Sequence, residues 1–319
     1  MAFVERRVRV CTRKLTARRK VGLMTRSVRS TLVAAVSLTA SIAMFAVASP
    51  ALAATHHPKG EYAQFAECPL ANSTVEDCIV AKTEHGEFSI GKEKVPITNT
   101  ITLQGGLDHL FTGEEEFFGA ENGNTLTKSP QKVPGGLLGL VKCNEISNFI
   151  ERIACEVFFE NGVTGVNATT ELAAPASSIH VNTLALLGQE GTALSLPLKI
   201  HLENPFLGSS CYIGSNSAPI VIEFTSGTTS PPAPNKPITG KPGENKFNEA
   251  GTILTNTGNE LVNNSYGAPG AEGCGGIFSF LIDPIVNSKL GLPSAAGHNT
   301  AILKGVLQVA VAAAVKASE

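Results

Sequence analysis

Apolar and polar residues exchange places at every second position in several stretches of this 319-residue chain. In LSLPLKIHLE, Leu194, Leu196, Leu198, Ile200 and Leu202 fall on one side, with Ser195, Pro197, Lys199, His201 and Glu203 on the other. That is the period of a strand with one buried face and one wet face. VPITNTITL repeats it through Val95, Ile97, Ile101 and Leu103, and PIVIEFT through Ile220, Ile222 and Phe224. AILKGVLQVAVAAAVK repeats it through Leu303, Leu307, Val309, Val311 and Val315; Gly305 and the valines favour strand over helix. Pro197 has no N–H to give a ladder, so its strand is expected at an edge or at a bulge.

Turn formers separate these runs: His85-Gly86, Asn122-Gly123, Asn161-Gly162, Gly188 to Gly191 and Gly258-Asn259. Strands so spaced imply an antiparallel β-sandwich or barrel. LALLGQEGTALSLPL reads as a hairpin turning at Gln189-Glu190. NEISNFIERIAC places Ile146, Phe149, Ile150 and Ile153 at helical spacing behind Asn144, a suitable N-cap. A small helical insert is therefore expected at about 137–160. SGTTSPPAPNKPITGKPGEN, 226–245, has five prolines and reads as an extended loop within one domain. Such loops often carry binding surfaces. No internal repeat stands out.

The front of the chain is of another kind. Residues 1–30 hold ten Lys/Arg and one acid, Glu5, and Thr31 to Ala54 carry no charge. The apolar run ends in Pro50-Ala51-Leu52-Ala53, a small-residue exit before a polar segment. This is the layout of a secretory signal peptide, 1–53, cleaved near Ala53, with 54–319 as a single secreted β-rich domain. Met24 is an alternative start, since a normal signal already follows it. ARRKVGL, 17–23, only loosely echoes a twin-arginine signal. The alternative to cleavage is a membrane anchor formed by residues 31–53. Without 1–53 the chain keeps 15 Lys/Arg against 26 Asp/Glu, a formal charge of −11. That charge repels phosphate backbones, so no nucleic-acid partner is expected, nor electrostatic docking on anionic lipid.

Six cysteines follow the leader: Cys68, Cys78, Cys143, Cys155, Cys211 and Cys274; a seventh, Cys11, lies inside it. An even number in an exported chain reads as disulfides. None forms a C-x-x-C and no His stands at finger-like spacing, so zinc and redox sites fit poorly. Fifteen pairings are possible; sequential ones, Cys68–Cys78, Cys143–Cys155 and Cys211–Cys274, are expected. A straight helix between Cys143 and Cys155 would hold them about 18 Å apart. That pair therefore requires a helix broken near Ser147-Asn148, or a different pairing.

Catalytic motifs are weak. G-x-S-x-G and H-E-x-x-H are absent from the sequence, and no cofactor motif is found. Ser129-Pro-Gln-Lys132 matches S-x-x-K, but Pro130 and Pro134 make it a turn where an acylase needs a helix. His56-His57 reads as a free tail. His180 and His201 would share a face if the hairpin pairs as read. Asp is confined to Asp77, Asp108 and Asp283, too few for calcium loops. Glu114-Glu115-Glu116, downstream of Asp108-His109, is the best enzymatic lead: Glu114 or Glu116 could serve as one carboxylate of a glycosidase pair. A charged edge strand is the plainer reading. With no Trp and only Tyr62, Tyr212 and Tyr266, sugar-stacking platforms are scarce. Asn72, Asn167 and Asn263 sit in N-x-S/T triplets.

IHLENPFLGSSCYIGSNSAPIVIEFTSGTTSPP, 200–232, and GVTGVNATTELA, 162–173, resemble segments of secreted proteins of high-GC actinobacteria without an assigned function. The resemblance covers most of the chain after the leader. It implies export and a β-rich disulfide domain, and it carries over no site residue. The sequence thus points to an exported β-domain with a binding or structural role at or outside the cell envelope. The alternatives are a carbohydrate-active hydrolase using Glu114 or Glu116, and a membrane-tethered or pore-associated envelope protein.

Overall fold

The computed structural model of the chain describes residues 56–113, 115–136, 147–155 and 165–319. The leader, Glu114 and the expected Cys143–Cys155 bond lie outside the described residues. In chain order the strands are β1 (Asp77–Ile90), β2 (Glu93–Pro96), β3 (Ile101–Leu107), β4 (Glu115–Gly119), β5 (Gln131–Val133), β6 (Val166–Leu172) and β7 (His180–Val181). They continue as β8 (Leu194–Glu203), β9 (Tyr212–Ile213), β10 (Ile220–Phe224), β11 (Glu244–Phe247), β12 (Ile253–Asn263), β13 (Ala271–Glu272) and β14 (Thr300–Val311). The helices are α1 (Phe149–Cys155), α2 (Thr183–Gly188), α3 (Ser279–Leu290) and α4 (Ala312–Ala317). All strand pairings are antiparallel, so the protein is mainly β, as the alternation requires.

One sheet runs β11-β12-β14-β1-β3-β4, with β2 folded back on β1. The other is built on β8, with β6 and β7 along one edge and β10 and β9 along the other. The two are seamed at two places. β4 pairs with β3 and also with β7. Thr225, just past β10, exchanges two backbone bonds with Val262 of β12, 3.0 and 2.9 Å. The inner faces meet in one core, where Ile79, Leu103 and Leu303 oppose Leu196, Leu198 and Ile222. A second core, with Phe65, Val80, Ile253 and Val315, fills the far face of the first sheet. There the segment 60–76 and α4 cover the strands, so β1 is buried on both sides. The first residues described are also tied down: His56 lies between Glu121, 3.1 Å away, and Glu319, so the free-tail reading of His56 does not hold.

Several local expectations are corrected. Pro197 lies in the central strand β8, not at an edge. Its carbonyl accepts from Ala173 N–H at 2.9 Å, where β6 has ended and β7 has not begun, so no neighbour needs the missing donor. The first arm of the expected hairpin is α2, because Asn182 Oδ1 caps Ala185 N at 2.7 Å and Gln189 ends the helix in the left-handed region. VPITNTITL is two strands, not one, broken between Pro96 and Ile101. The C-terminal run leaves the sheet after Val311 and becomes α4. In the helical insert, Asn148 caps the described helix, accepting from Ile150 N at 3.0 Å, and Asn144 lies outside the described residues. Of the apolar positions at helical spacing, Phe149, Ile150 and Ile153 are exposed. The proline-rich loop is pinned: Thr229 N donates to Ile238 O, and Asn235 Nδ2 reaches Asn264 O and Asn299 O, each at 2.9 Å.

Cys68 is bonded to Cys78, with 5.4 Å between Cα atoms, and Cys211 to Cys274, with 4.1 Å. The first ties the covering segment to β1, and the second clamps the short β9–β13 pairing. Loop closure in the unfolded chain predicts that the pair separated by 63 positions stabilises more than the pair separated by 10. Replacing Cys211 and Cys274 by Ala should cost on the order of 4 kcal/mol in denaturant melts, against roughly 3 for Cys68 and Cys78; the reverse order would contradict this. Asp77, at the start of β1, is pushed up to about 6 by burial, with Glu76 adding to the rise and His109 opposing it. Its folded-state value thus exceeds its unfolded one, so the carboxylate weighs against folding above about pH 6 and not below about pH 4. Asp77→Asn should therefore raise Tm by roughly 2 °C near neutral pH and by nothing measurable near pH 3.5 in thermal melts.

Candidate functional site

The inner faces do not fill the space between the sheets. Among the described residues, apolar cavities of about 90 Å³ and about 80 Å³ lie there. Ile79, Leu103, Leu196, Leu198 and Leu307 line the first. Ile90, Val133, Ala168, Leu202 and Leu290 line the second. Phe88 and Thr170 belong to both linings and stand at the boundary. Protein interiors leave few voids larger than a water molecule. Apolar voids of this sort stay dry and admit apolar guests.

The first cavity lies beside a paired irregularity in the sheet. β1 shifts register between Thr83 and His85, and β12 between Thr257 and Asn259, both opposite Gly305 of β14. A Cβ on Gly305 would stand 1.8 Å from Lys82 O, so only glycine admits this close approach. Thr83, Asn259 and Val306 line the cavity at this kink. The second cavity is walled by α3, whose Val286 and Leu290 face inward while Phe280, Leu281 and Ile285 are exposed. Exposed Lys289 and half-buried Glu93 stand at its outer end.

Most polar side chains in these linings have partners in the protein. Gln131 Oε1 accepts from Thr98 N and Asn99 N, at 2.8 and 3.0 Å. Asn182 Nδ2 donates to Gly113 O at 3.0 Å. Thr183 Oγ1 donates to Glu115. The Thr170 hydroxyl is buried with no hydrogen-bond partner. Sequence reasoning passed over it. The signal was present in VNATTEL, where the inward positions read Val166, Ala168, Thr170, Leu172 and the third alone is polar.

The residues singled out for chemistry are placed differently. Glu116 is exposed and faces His180 across the β4–β7 pairing. Its neighbour Glu115 is buried; its Oε1 accepts from Phe111 N at 3.1 Å, Thr183 N at 3.2 Å and Thr183 Oγ1. Both border an open cleft of about 440 Å³ together with His180 and Asn182. Asp108, 3.1 Å from His109, raises the imidazole above its ordinary value. His201 stacks on Tyr212 at 4.5 Å and lies further along β8 than the residues His180 pairs with, so the two histidines do not meet. Ser129 donates to Thr100 O at 2.6 Å on the loop entering β5, not on a helix. Among the described residues no group of three or more His, Cys, Asp or Glu is gathered as for a metal ion. Among them also, no helix is long and apolar enough to cross a membrane.

No protein family, curated protein or solved structure matches the chain. Within the acidic triplet, the buried member acts as a bracket for the N-terminus of α2. Glu115→Ala should cost about 2–3 kcal/mol in denaturant melts, because it removes the acceptor of the buried Thr183 N–H and hydroxyl. Glu116→Gln should be neutral within about 0.5 kcal/mol; equal costs would contradict the inward and outward assignment.

Proposed function

We propose that this chain is an exported, disulfide-stabilised binding domain that works at or outside the cell envelope and takes an apolar guest between its sheets. One observation carries the guest: two adjoining apolar cavities within the core between the sheets. Export is supported by the leader pattern of residues 1–53 and by oxidised cysteines, which persist outside the reducing cytosol. The negative charge left after the leader is removed sits on the outside, while the lining is apolar; attraction for the guest is therefore hydrophobic, at about 25 cal/mol per Å² of buried surface. The size of the cavities sets the guest's scale. Each is smaller than the roughly 150 Å³ that accepts benzene, and the pair together is comparable to it. A single alkyl chain or a small ring fits that scale, and a large polycyclic molecule does not.

The chain expressed with its leader should be recovered from outside the cell with its N-terminus near Ala54, as read by intact-mass spectrometry. In saturation-transfer NMR that material should transfer magnetisation to heptane. Ala193→Leu in the first cavity combined with Ala168→Leu in the second should lower the affinity by at least about tenfold, because the added methylenes occupy the void. Retention of the leader would defeat the export half of the reading. Heptane binding that ignores the filling substitutions would defeat the cavity half.

A further inference from the structure

We propose that Thr170 is a polar anchor for the guest, and that the guest is a neutral single-chain molecule with one oxygen partway along it, an ester, ketone or secondary alcohol. The proposal rests on the reading of the two cavities as a guest site and adds what that site selects.

Thr170 is 5% exposed and lies on the inner face of β6 between Ala168 and Leu172, opposite Ile200 of β8. It borders both cavities, and its Oγ1 is buried without a partner. Its neighbour Thr169 shows the ordinary arrangement: it faces the other way and donates to Glu203 Oε2 at 3.1 Å. Gln131, Asn182 and Thr183 also line the cavities, and each spends its polar atoms on the protein. Thr170 could be replaced by the isosteric valine with no loss of shape and with relief of a buried, unsatisfied hydroxyl. A water molecule is a poor occupant beside Thr170, because an ordered buried water needs two to four polar partners and the neighbouring inward positions Ala168, Leu172 and Ile200 are apolar. A guest oxygen needs only the one bond, and the alkyl arms on either side of it enter the two cavities. The hydroxyl can donate to a carbonyl or accept from an alcohol. An ionised group is disfavoured at that depth, because an unpaired charge is costly in an apolar lining and the charged lining residues Lys82, Glu93 and Lys289 are half-buried or exposed.

The test is a calorimetric titration of the secreted chain with heptan-4-one and with heptane, in wild type, Thr170→Val and Thr170→Ser. Thr170→Val should weaken the ketone by about three- to tenfold and leave heptane within about twofold, and Thr170→Ser should restore the ketone. A thermal melt of Thr170→Val no lower than that of wild type shows that the fold is intact; should that variant fail to fold, the serine variant must still bind the ketone as wild type does, and a loss there overturns the anchor. If both guests bind and valine changes them alike, the anchor is wrong while the cavity reading stands. If neither guest binds wild type, the cavity reading fails and the anchor falls with it.

Discussion

The architecture depends on the close approach of β14 to β1 at Gly305. β14 is the strand between β1 and β12, and each of those neighbours carries an extra residue at the same level, Glu84 in β1 and Gly258 in β12. A bulge increases local twist and bends its strand. Two bulges flanking one glycine bend three adjacent strands together, which lets the sheet curve toward its partner. The contact is so close that any side chain at Gly305 would collide with the β1 backbone. Gly86, at φ +129°, makes the matching approach from β1, where a Cβ would lie 1.9 Å from Ile302 O. The first cavity lies beside this irregularity, with Thr83, Asn259 and Val306 in its lining.

The β1–β14 pairing also sets the order in which the chain can assemble. It joins Asp77 to Val311 and Ser89 to Thr300, so the middle of the first sheet forms only when the two ends of the domain have met. Non-local pairing of this kind is slow to form because closing the intervening chain costs entropy before any contact repays it. The two observed disulfides do not span that gap. Cys68–Cys78 holds the cover of the second core to β1, and Cys211–Cys274 secures the short β9–β13 ladder beside α3. The bonds therefore reinforce peripheral elements with few pairings of their own, while the long strands rely on ladder hydrogen bonds and two buried faces.

The alternation at Leu194 to Leu202, Ile220 to Phe224 and Leu303 to Val309 was enough to read the mainly β class, because a half-buried strand can satisfy period two in only one way. Reading failed where a local polar contact overrode the pattern. Asn182 converts the expected first arm of a hairpin into α2, a capping effect that period counting does not register. Pro197 looked incompatible with a central strand, and it is compatible only because β6 and β7 leave a gap at that level, a fact of topology. The acidic triplet drew attention as chemistry, yet alternation sends Glu115 inward and Glu116 outward, and the inward one is occupied as a bracket. Cavities were not legible at all, since a void is a property of how two faces meet, and neither face contains it.

Thr170 illustrates what alternation can still reveal once the faces are known. A polar residue at an inward position usually signals a hydrogen bond to a nearby backbone or side chain, as Gln131 and Asn256 provide in this core. When that partner is missing inside the protein, the unsatisfied group is a standing cost, and the natural remedy of an isosteric valine is a single substitution away. The location sharpens the argument. An orphan hydroxyl against a fully packed wall would be strain without use, whereas the residue that carries this one lines two voids large enough to admit atoms. The unfilled volume and the unfilled hydrogen bond are each unfavourable alone. They occur at the same place, and one occupant with an alkyl chain and an oxygen would relieve both.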